Sequence, residues 1–182
     1  MSIIKTAKGF KNEFLIKLDA RGNPSFGLEN WDEVLLGELR QILISHGDAI
    51  NSIQVAYNIR GSLFLSHRHG GGGDKFDCVN LESWENLTMV KGYYGPLRGH
   101  NASVVRSLTF GTNGAAYGPF GMEEGTLFCF NIPPGVSFGG FHGRSDSGYL
   151  RAIGIYVEPM AQYHLDPKPL AADFSRHGYA PD

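Results

Sequence analysis

The sequence predicts an all-β fold with pseudo-threefold internal symmetry. Three observations carry that prediction: a repeated strand phrase, a regular series of short strand patterns, and an excess of glycine. The phrase occurs as Ile50-Asn51-Ser52-Ile53-Gln54-Val55, as Val105-Arg106-Ser107-Leu108-Thr109-Phe110 and as Leu150-Arg151-Ala152-Ile153-Gly154-Ile155. Apolar and polar positions alternate in each copy, the period of a strand with one buried face. Copies recurring at intervals of roughly fifty residues point to a repeated supersecondary unit. They differ most at their second, polar position, which is Asn51, Arg106 and Arg151 in turn. The chain holds 25 glycines in 182 residues, about twice the usual frequency of roughly 7%. Among strands, that excess implies tight turns and close backbone approach.

Taken in order, residues 1–11 form a lead-in, a strand is expected at 13–18, and 19–27 read as a loop on turn chemistry. The stretch from 34 to 40 has a helix-compatible composition, but 39–45 alternates and runs into Gly47-Asp48, a hairpin signal, so strand is assigned. Further strands are expected at 50–58, 61–66, 77–81, 87–94, 103–111, 114–118, 126–131, 136–142 and 149–157. The turns between them are marked by Gly95-Pro96, Asn113-Gly114, Pro133-Pro134-Gly135 and Ser145-Asp146-Ser147-Gly148. After Glu158 the pattern stops, and Pro159, Pro167, Pro169 and Pro181 mark a C-terminal tail. The expected organisation is thus a lead-in at 1–11, one domain at 12–158, and a tail at 159–182.

Hydrophobic residues make up 42% and charged residues 19%, with a formal net charge of −2. That balance suits one globular domain and gives no electrostatic case for nucleic acid or an anionic membrane. No run of apolar residues is long enough to span a bilayer, and the first residues lack a signal-peptide core, so a cytoplasmic or nuclear location is expected. Cys78 and Cys129 fall inside strand patterns and read as buried free thiols. Trp31 and Trp84 read as packing residues, Tyr93 and Tyr94 as one core and one exposed ring, and Arg106 as a solvated strand residue.

Several motifs resemble the jacalin-related lectins. They are Ser45-His46-Gly47-Asp48-Ala49-Ile50-Asn51-Ser52-Ile53, Gly92-Tyr93-Tyr94-Gly95-Pro96, Arg106-Ser107-Leu108-Thr109-Phe110, Tyr117-Gly118-Pro119-Phe120-Gly121, Glu124-Gly125-Thr126 and Phe141-His142-Gly143-Arg144-Ser145, the last leading into Tyr149-Leu150-Arg151-Ala152-Ile153-Gly154. The resemblance covers about 14–158. It implies a β-prism of three Greek-key, four-stranded sheets that binds carbohydrate, with no metal, cofactor or catalysis. The uninterrupted run through 14–50 is more similar to the mannose-binding, cytoplasmic branch than to the secreted, cleaved, galactose-binding one. The function implied is binding of mannose- or glucose-type oligosaccharides or glycoproteins, in the setting of plant defence.

In that family the principal sugar site joins a Gly-Gly loop to a loop reading Gly-x-x-x-Asp. Glycine lets backbone N–H groups reach the sugar, and the carboxylate accepts from two adjacent hydroxyls. Both halves are altered here. The first loop reads Gly22-Asn23-Pro24-Ser25-Phe26-Gly27, and the second reads Ser147-Gly148-Tyr149-Leu150-Arg151, with arginine where aspartate is expected. Arginine has five donors and no acceptor, so it cannot replace the carboxylate. Asp146 either supplies the missing acceptor or pairs with Arg151. A second candidate is Gly47-Asp48-Ala49-Ile50-Asn51 facing Gly71, Gly72 and Gly73, a place where some family members hold a second mannose. The competing view makes 47–48 a plain hairpin turn and the glycines a mobile loop. The candidate carbohydrate-binding residues are therefore Gly47, Asp48, Ala49, Ile50, Asn51, Gly71, Gly72, Gly73, Asp146, Gly148, Tyr149, Leu150 and Arg151.

Two other classes stand beside this one. His67-Arg68-His69 after Gly61 resembles the opening of a cupin metal motif, where two imidazoles on one strand face would hold zinc, iron or manganese. The acid that follows is Asp74 and no second motif is present, so an enzyme is not expected. The third reading keeps the β-prism and drops the sugar, leaving a protein-interaction module. Oligomeric state is not legible in the sequence, although weak single sites gain avidity in a homo-oligomer.

Overall fold

The computed structural model describes residues 15–25 and 28–159. All its regular elements are strands: β1 Ile16–Lys17, β2 Arg21–Gly22, β3 Glu29–Val34, β4 Glu38–His46, β5 Ile50–Ile59, β6 Ser62–Leu65, β7 His69–Gly70, β8 Lys75–Asn80, β9 Leu87–Pro96, β10 Ser103–Thr112, β11 Ala116–Gly121, β12 Thr126–Asn131, β13 Val136–Ser145 and β14 Leu150–Pro159. They form three antiparallel sheets. The first runs β1-β14-β13-β3 with β2 also on β14, the second β6-β5-β4-β8 with β7 also on β5, and the third β11-β10-β9-β12. Because β1 and β2 share one side of β14, and β6 and β7 one side of β5, each sheet is four lanes wide.

Each copy of the repeated phrase starts the central strand that returns from a hairpin: β5, β10 or β14. Its apolar positions point inward. Ile50, Ile53, Leu108, Phe110, Leu150, Ile153 and Ile155 are all buried, and with Ile42, Ile44, Val90 and Phe141 they form one core between the sheets. Phe110 and Phe141 meet edge to face across two sheets, with centroids 6.1 Å apart. A fully buried side chain of this size contributes about 1.5–3 kcal/mol relative to exposure, so this shared core is what joins sheets that share no backbone ladder.

Polar joints at the seams add direction. His69 on β7 meets Glu33 on β3 at 2.7 Å, and its ring stacks on Trp31 at 4.2 Å. His46 on β4 meets Asp77 at 2.7 Å, while its other ring nitrogen accepts from the Gly121 amide on β11. On the first sheet, Asp32 accepts from both Lys17 and Tyr156, and His142 bonds to the Leu18 carbonyl. These contacts hold the short β1 against the sheet and bury Tyr156.

Several expectations need correction. The loop assigned to 19–27 contains β2, and β3 and β7 carried no strand assignment; two-residue strands are too short to show a period, and β3 is interrupted by Asp32 and Glu33. Cys78 and Cys129 are free but exposed, because they take the outward positions of edge strands β8 and β12. Arg106 is buried, for a reason given below. Gly95 and Pro96 end β9 instead of forming the turn, which follows at 97–102. Trp31 is core, whereas Trp84 is 60% exposed, and Tyr93 and Tyr94 are both half-buried. The expected lead-in and nearly all of the tail lie outside the described residues.

Phe110→Ala should cost about 3–5 kcal/mol, the usual range for deleting a buried aromatic ring. Urea unfolding with an unchanged slope would show the loss directly.

Candidate functional site

Three hairpin turns meet at one end of the prism: 46–50 between β4 and β5, 96–103 between β9 and β10, and 145–150 between β13 and β14. Each is followed at once by a copy of the phrase, so its polar second position sits at this rim. The three side chains do the same thing. Asn51 Nδ2 donates to the Gly148 carbonyl at 3.1 Å, Arg106 Nε to the Asp48 carbonyl at 3.1 Å, and Arg151 Nη1 to the Ser103 carbonyl at 3.4 Å. Each accepting residue stands three positions before the polar residue of the next sheet. The donors therefore run cyclically from second sheet to first, first to third and third to second, closing a ring around the threefold axis.

The charged members carry further partners. Arg106, 5% exposed, also donates to the Pro96 carbonyl at 2.9 Å and to Glu124 Oε2 at 2.8 Å. The sequence reading missed this because it treated 106 as an outward strand position, whereas a rim position beside two turns has carbonyls within reach. Arg151 pairs with Asp146: Nε and Nη2 lie 2.7 and 2.5 Å from Asp146 Oδ2. Asp146 Oδ1 accepts the amides of Gly148 and Tyr149 at 2.9 and 2.8 Å. Burial of Asp146 favours the neutral acid, but the two amides and the guanidinium outweigh it and hold the carboxyl below its ordinary value of 3.8. Both oxygens are thus in use within the loop.

Asn23 was not among the predicted residues, yet it is 7% exposed and braces the same corner. Its amide donates to the Arg151 carbonyl at 2.9 Å, its Oδ1 accepts from the Ser25 amide at 2.8 Å, and its own carbonyl accepts from Arg144 at 3.2 Å. An Asn beside proline in a loop is the one sequence signal for such a turn.

The second candidate lies against the first. Gly71 packs so closely on 147–148 that a Cβ there would come 2.3 Å from the Ser147 carbonyl oxygen. Gly71 N donates to the Asn51 carbonyl, and Gly73 N to Ser45 Oγ at 2.7 Å, so the glycine segment is anchored on both sides. A Cβ on Gly73 would meet Asn51 Oδ1 at 2.3 Å, while one on Gly72 would meet nothing within 4 Å. Ala49, Ile50 and Leu150 are buried supports, and Tyr149 is half-buried with Arg151 5.7 Å from its ring centre. Gly47 N closes the turn onto the Ala49 carbonyl. Asp48 is exposed in the same turn. A cleft of about 710 Å³ lies at the opposite end, lined by Leu35, Leu39, Leu87, Ile132, Val136 and Phe138, and none of the predicted site residues reach it.

The metal alternative finds no ligand set. His67 is exposed and outside the strands, His69 is committed to Glu33 and Trp31, and no group of three ligating side chains gathers among the described residues. No helix among them is long and apolar enough to cross a membrane.

Comparison with known proteins agrees with this architecture. Residues 18–156 match the jacalin-like lectin domain. The chain belongs to the jacalin-related lectin family. It is therefore a member of a family of sugar-binding proteins, not of enzymes. Jacalin-related lectin 3 of Arabidopsis thaliana is 42% identical over 133 residues, covering 71% of this chain and 22% of that protein. Protein RESTRICTED TEV MOVEMENT 1 of the same plant is 41% identical over 149 residues, covering 79% of this chain and 83% of that one. The chain spans about a fifth of the first relative's length and most of the second's. Among solved structures, a mannose-binding jacalin-related lectin from Ananas comosus superposes with a TM-score of 0.69 at 36% identity, covering 80% of this chain and 98% of that one. Artocarpin in complex with mannotriose gives 0.71 at 37%, covering 79% and 97%.

Two outcomes follow from the ring. Arg106→Ala removes the three hydrogen bonds of a buried guanidinium and should cost about 2–4 kcal/mol, since hydrogen bonds to charged groups contribute about 1.5–3 kcal/mol each and water replaces part of the loss at the exposed acceptors; Arg106→Lys should recover only part of it in denaturant unfolding. The folded Asp146 carboxyl lies below its unfolded value, so its contribution is complete above about pH 4 and is lost as pH falls through the folded value. Carboxyl-detected NMR titration should show Asp146 protonating below the ordinary aspartate value, with 146–149 amide exchange accelerating at that point.

Proposed function

We propose that this lectin binds mannose- or glucose-type oligosaccharides through the 47–51 turn and the Gly71-Gly72-Gly73 segment, with the 146–151 loop closed to neutral sugar. One observation carries the assignment: both Asp146 oxygens are spent, one on two amides and the other on Arg151. A sugar seated there would compete with charge-assisted bonds worth about 1.5–3 kcal/mol each. Asp48, by contrast, is exposed at its turn, and a Cβ added at Gly72 would meet nothing within 4 Å. A carboxylate can accept from two vicinal hydroxyls, and uncovered glycine backbone lets the ring approach.

The mannose-binding and mannotriose-bound neighbours support the ligand class. Resemblance to the mannose-binding branch supports a cytoplasmic location, and glycoproteins of the same compartment as partners. The defence setting rests on the plant relatives alone. A shallow single site is weak, so a homo-oligomer would add avidity.

The test is calorimetry with oligomannose together with a glycan array on the whole chain. Asp48→Ala should weaken oligomannose binding at least tenfold, and Arg151→Lys should leave it within about twofold, a difference of roughly 1 kcal/mol or more between the two sites. The reverse pattern would move the site to the 146–151 loop. Absence of all glycan binding by the wild-type protein would leave the interaction-module reading, which the spent Asp146 carboxylate also favours.

A further inference from the structure

The glycine segment that follows β7 belongs to the second sheet by chain connection, yet it leans on the first. At its base, His69 bonds to Glu33 and stacks on Trp31, both residues of β3. Two residues on, Gly71 lies against the 145–150 turn. A Cβ added there would stand 2.3 Å from the Ser147 carbonyl oxygen and 2.8 Å from Gly148 Cα. Asn51 joins the two from the side: its carbonyl accepts from Gly71 N at 3.0 Å, and its Nδ2 donates to the Gly148 carbonyl at 3.1 Å. The 147–148 backbone is thus the surface on which this seam is set. One carboxylate holds that backbone in place. Asp146 Oδ1 accepts the amides of Gly148 and Tyr149, while Oδ2 is fastened to Arg151. The only other bond across the turn is from the Asp146 amide to the Tyr149 carbonyl, at 3.1 Å.

Gly70 to Gly73 are four glycines in a row, and glycine has the most backbone freedom to lose on ordering. The arrangement of such a segment depends on what it packs against. We infer that Asp146 is a positioning residue for the sugar site of the 47–51 turn and the 71–73 segment, acting through the Gly148 peptide. This role rests on the sugar reading proposed above. The carboxylate touches no sugar; it keeps 147–149 in the shape against which Gly71 and Asn51 are fixed. A loop ordered in advance binds more tightly because its ordering cost is already met. The apparent Kd rises in inverse proportion to the time spent in the competent arrangement. A turn closed to sugar thereby serves the turn beside it. The two Asp146 oxygens also divide the work, Oδ1 shaping the turn and Oδ2 holding Arg151, so the residue's own acceptor geometry offers a test.

The experiment is oligomannose calorimetry with 15N amide shifts on the whole chain, for Asp146→Ala, Asp146→Asn, Gly71→Ala and the double variant Asp146→Ala/Gly71→Ala. Asp146→Ala should weaken oligomannose about tenfold, as when the competent fraction falls to roughly one tenth. Without ligand, it should already shift the Asn51 side-chain amide and the 71–73 amides. Asparagine keeps an acceptor oxygen for the two turn amides and suits such turns, so Asp146→Asn should restore affinity to within about threefold of wild type. A carboxylate that bound sugar directly would not be rescued in this way. Gly71→Ala, which forces the segment off Ser147, should weaken binding by a similar factor. Both changes break one contact, so the double variant should be at most about twofold weaker than the worse single one. An unchanged isotherm for Asp146→Ala, an asparagine variant as weak as the alanine one, or full multiplication of the two single effects would overturn this role for Asp146. Wild-type oligomannose shifts that miss both 47–51 and 71–73 would overturn the sugar reading, and this role with it.

Discussion

Three antiparallel sheets share no backbone hydrogen bonds with one another, so their mutual orientation depends on side chains. The apolar core draws them together but is weakly directional, since burial energy scales with area and not with angle. Direction comes from the ring of Asn51, Arg106 and Arg151, each donating to a carbonyl on the next sheet. Donors at one equivalent position in all three copies reach the carbonyls of Gly148, Asp48 and Ser103, so the three seams are held in the same way.

The same ring governs the chemistry of the rim. Where the donor is arginine it brings a charge that needs a counter-ion, and Glu124 or Asp146 supplies it. Where it is asparagine no counter-ion is required, and the nearby Asp48 carboxylate stays at the surface. On the proposed reading, structural demand and sugar binding draw on the same kind of carboxylate. The sheet with the neutral donor is the one that leaves its turn acid at the surface.

The histidine joints follow related logic. His46 and His69 each bridge two elements at a seam, one to Asp77 and the Gly121 amide, the other to Glu33 against Trp31. An imidazole between a ring wall and a carboxylate is a satisfied packing residue, and that is the place His69 takes in the short His-x-His spacing. Edge strands on the outside of the same seams are mostly guarded by charge.

The sequence by itself determined the strand periodicity, the inward apolar face of each phrase copy and the turns rich in glycine and proline, because these are local properties of neighbouring residues. It did not show β2 and β7, which are too short to display a period, nor the outward direction of Cys78 and Cys129, which depends on which face of an edge strand is covered. Only the tertiary structure decided the fate of the polar phrase positions. Arg106 looked like a solvated strand residue until the Asp48 turn, 58 positions earlier, came within 3.1 Å of it. Asp146 and Arg151 could have opened toward a ligand or closed on each other, and two amides of their own turn chose the second. Such choices rest on carbonyls and amides brought in by other strands, and side-chain identity along the chain carries no record of those neighbours.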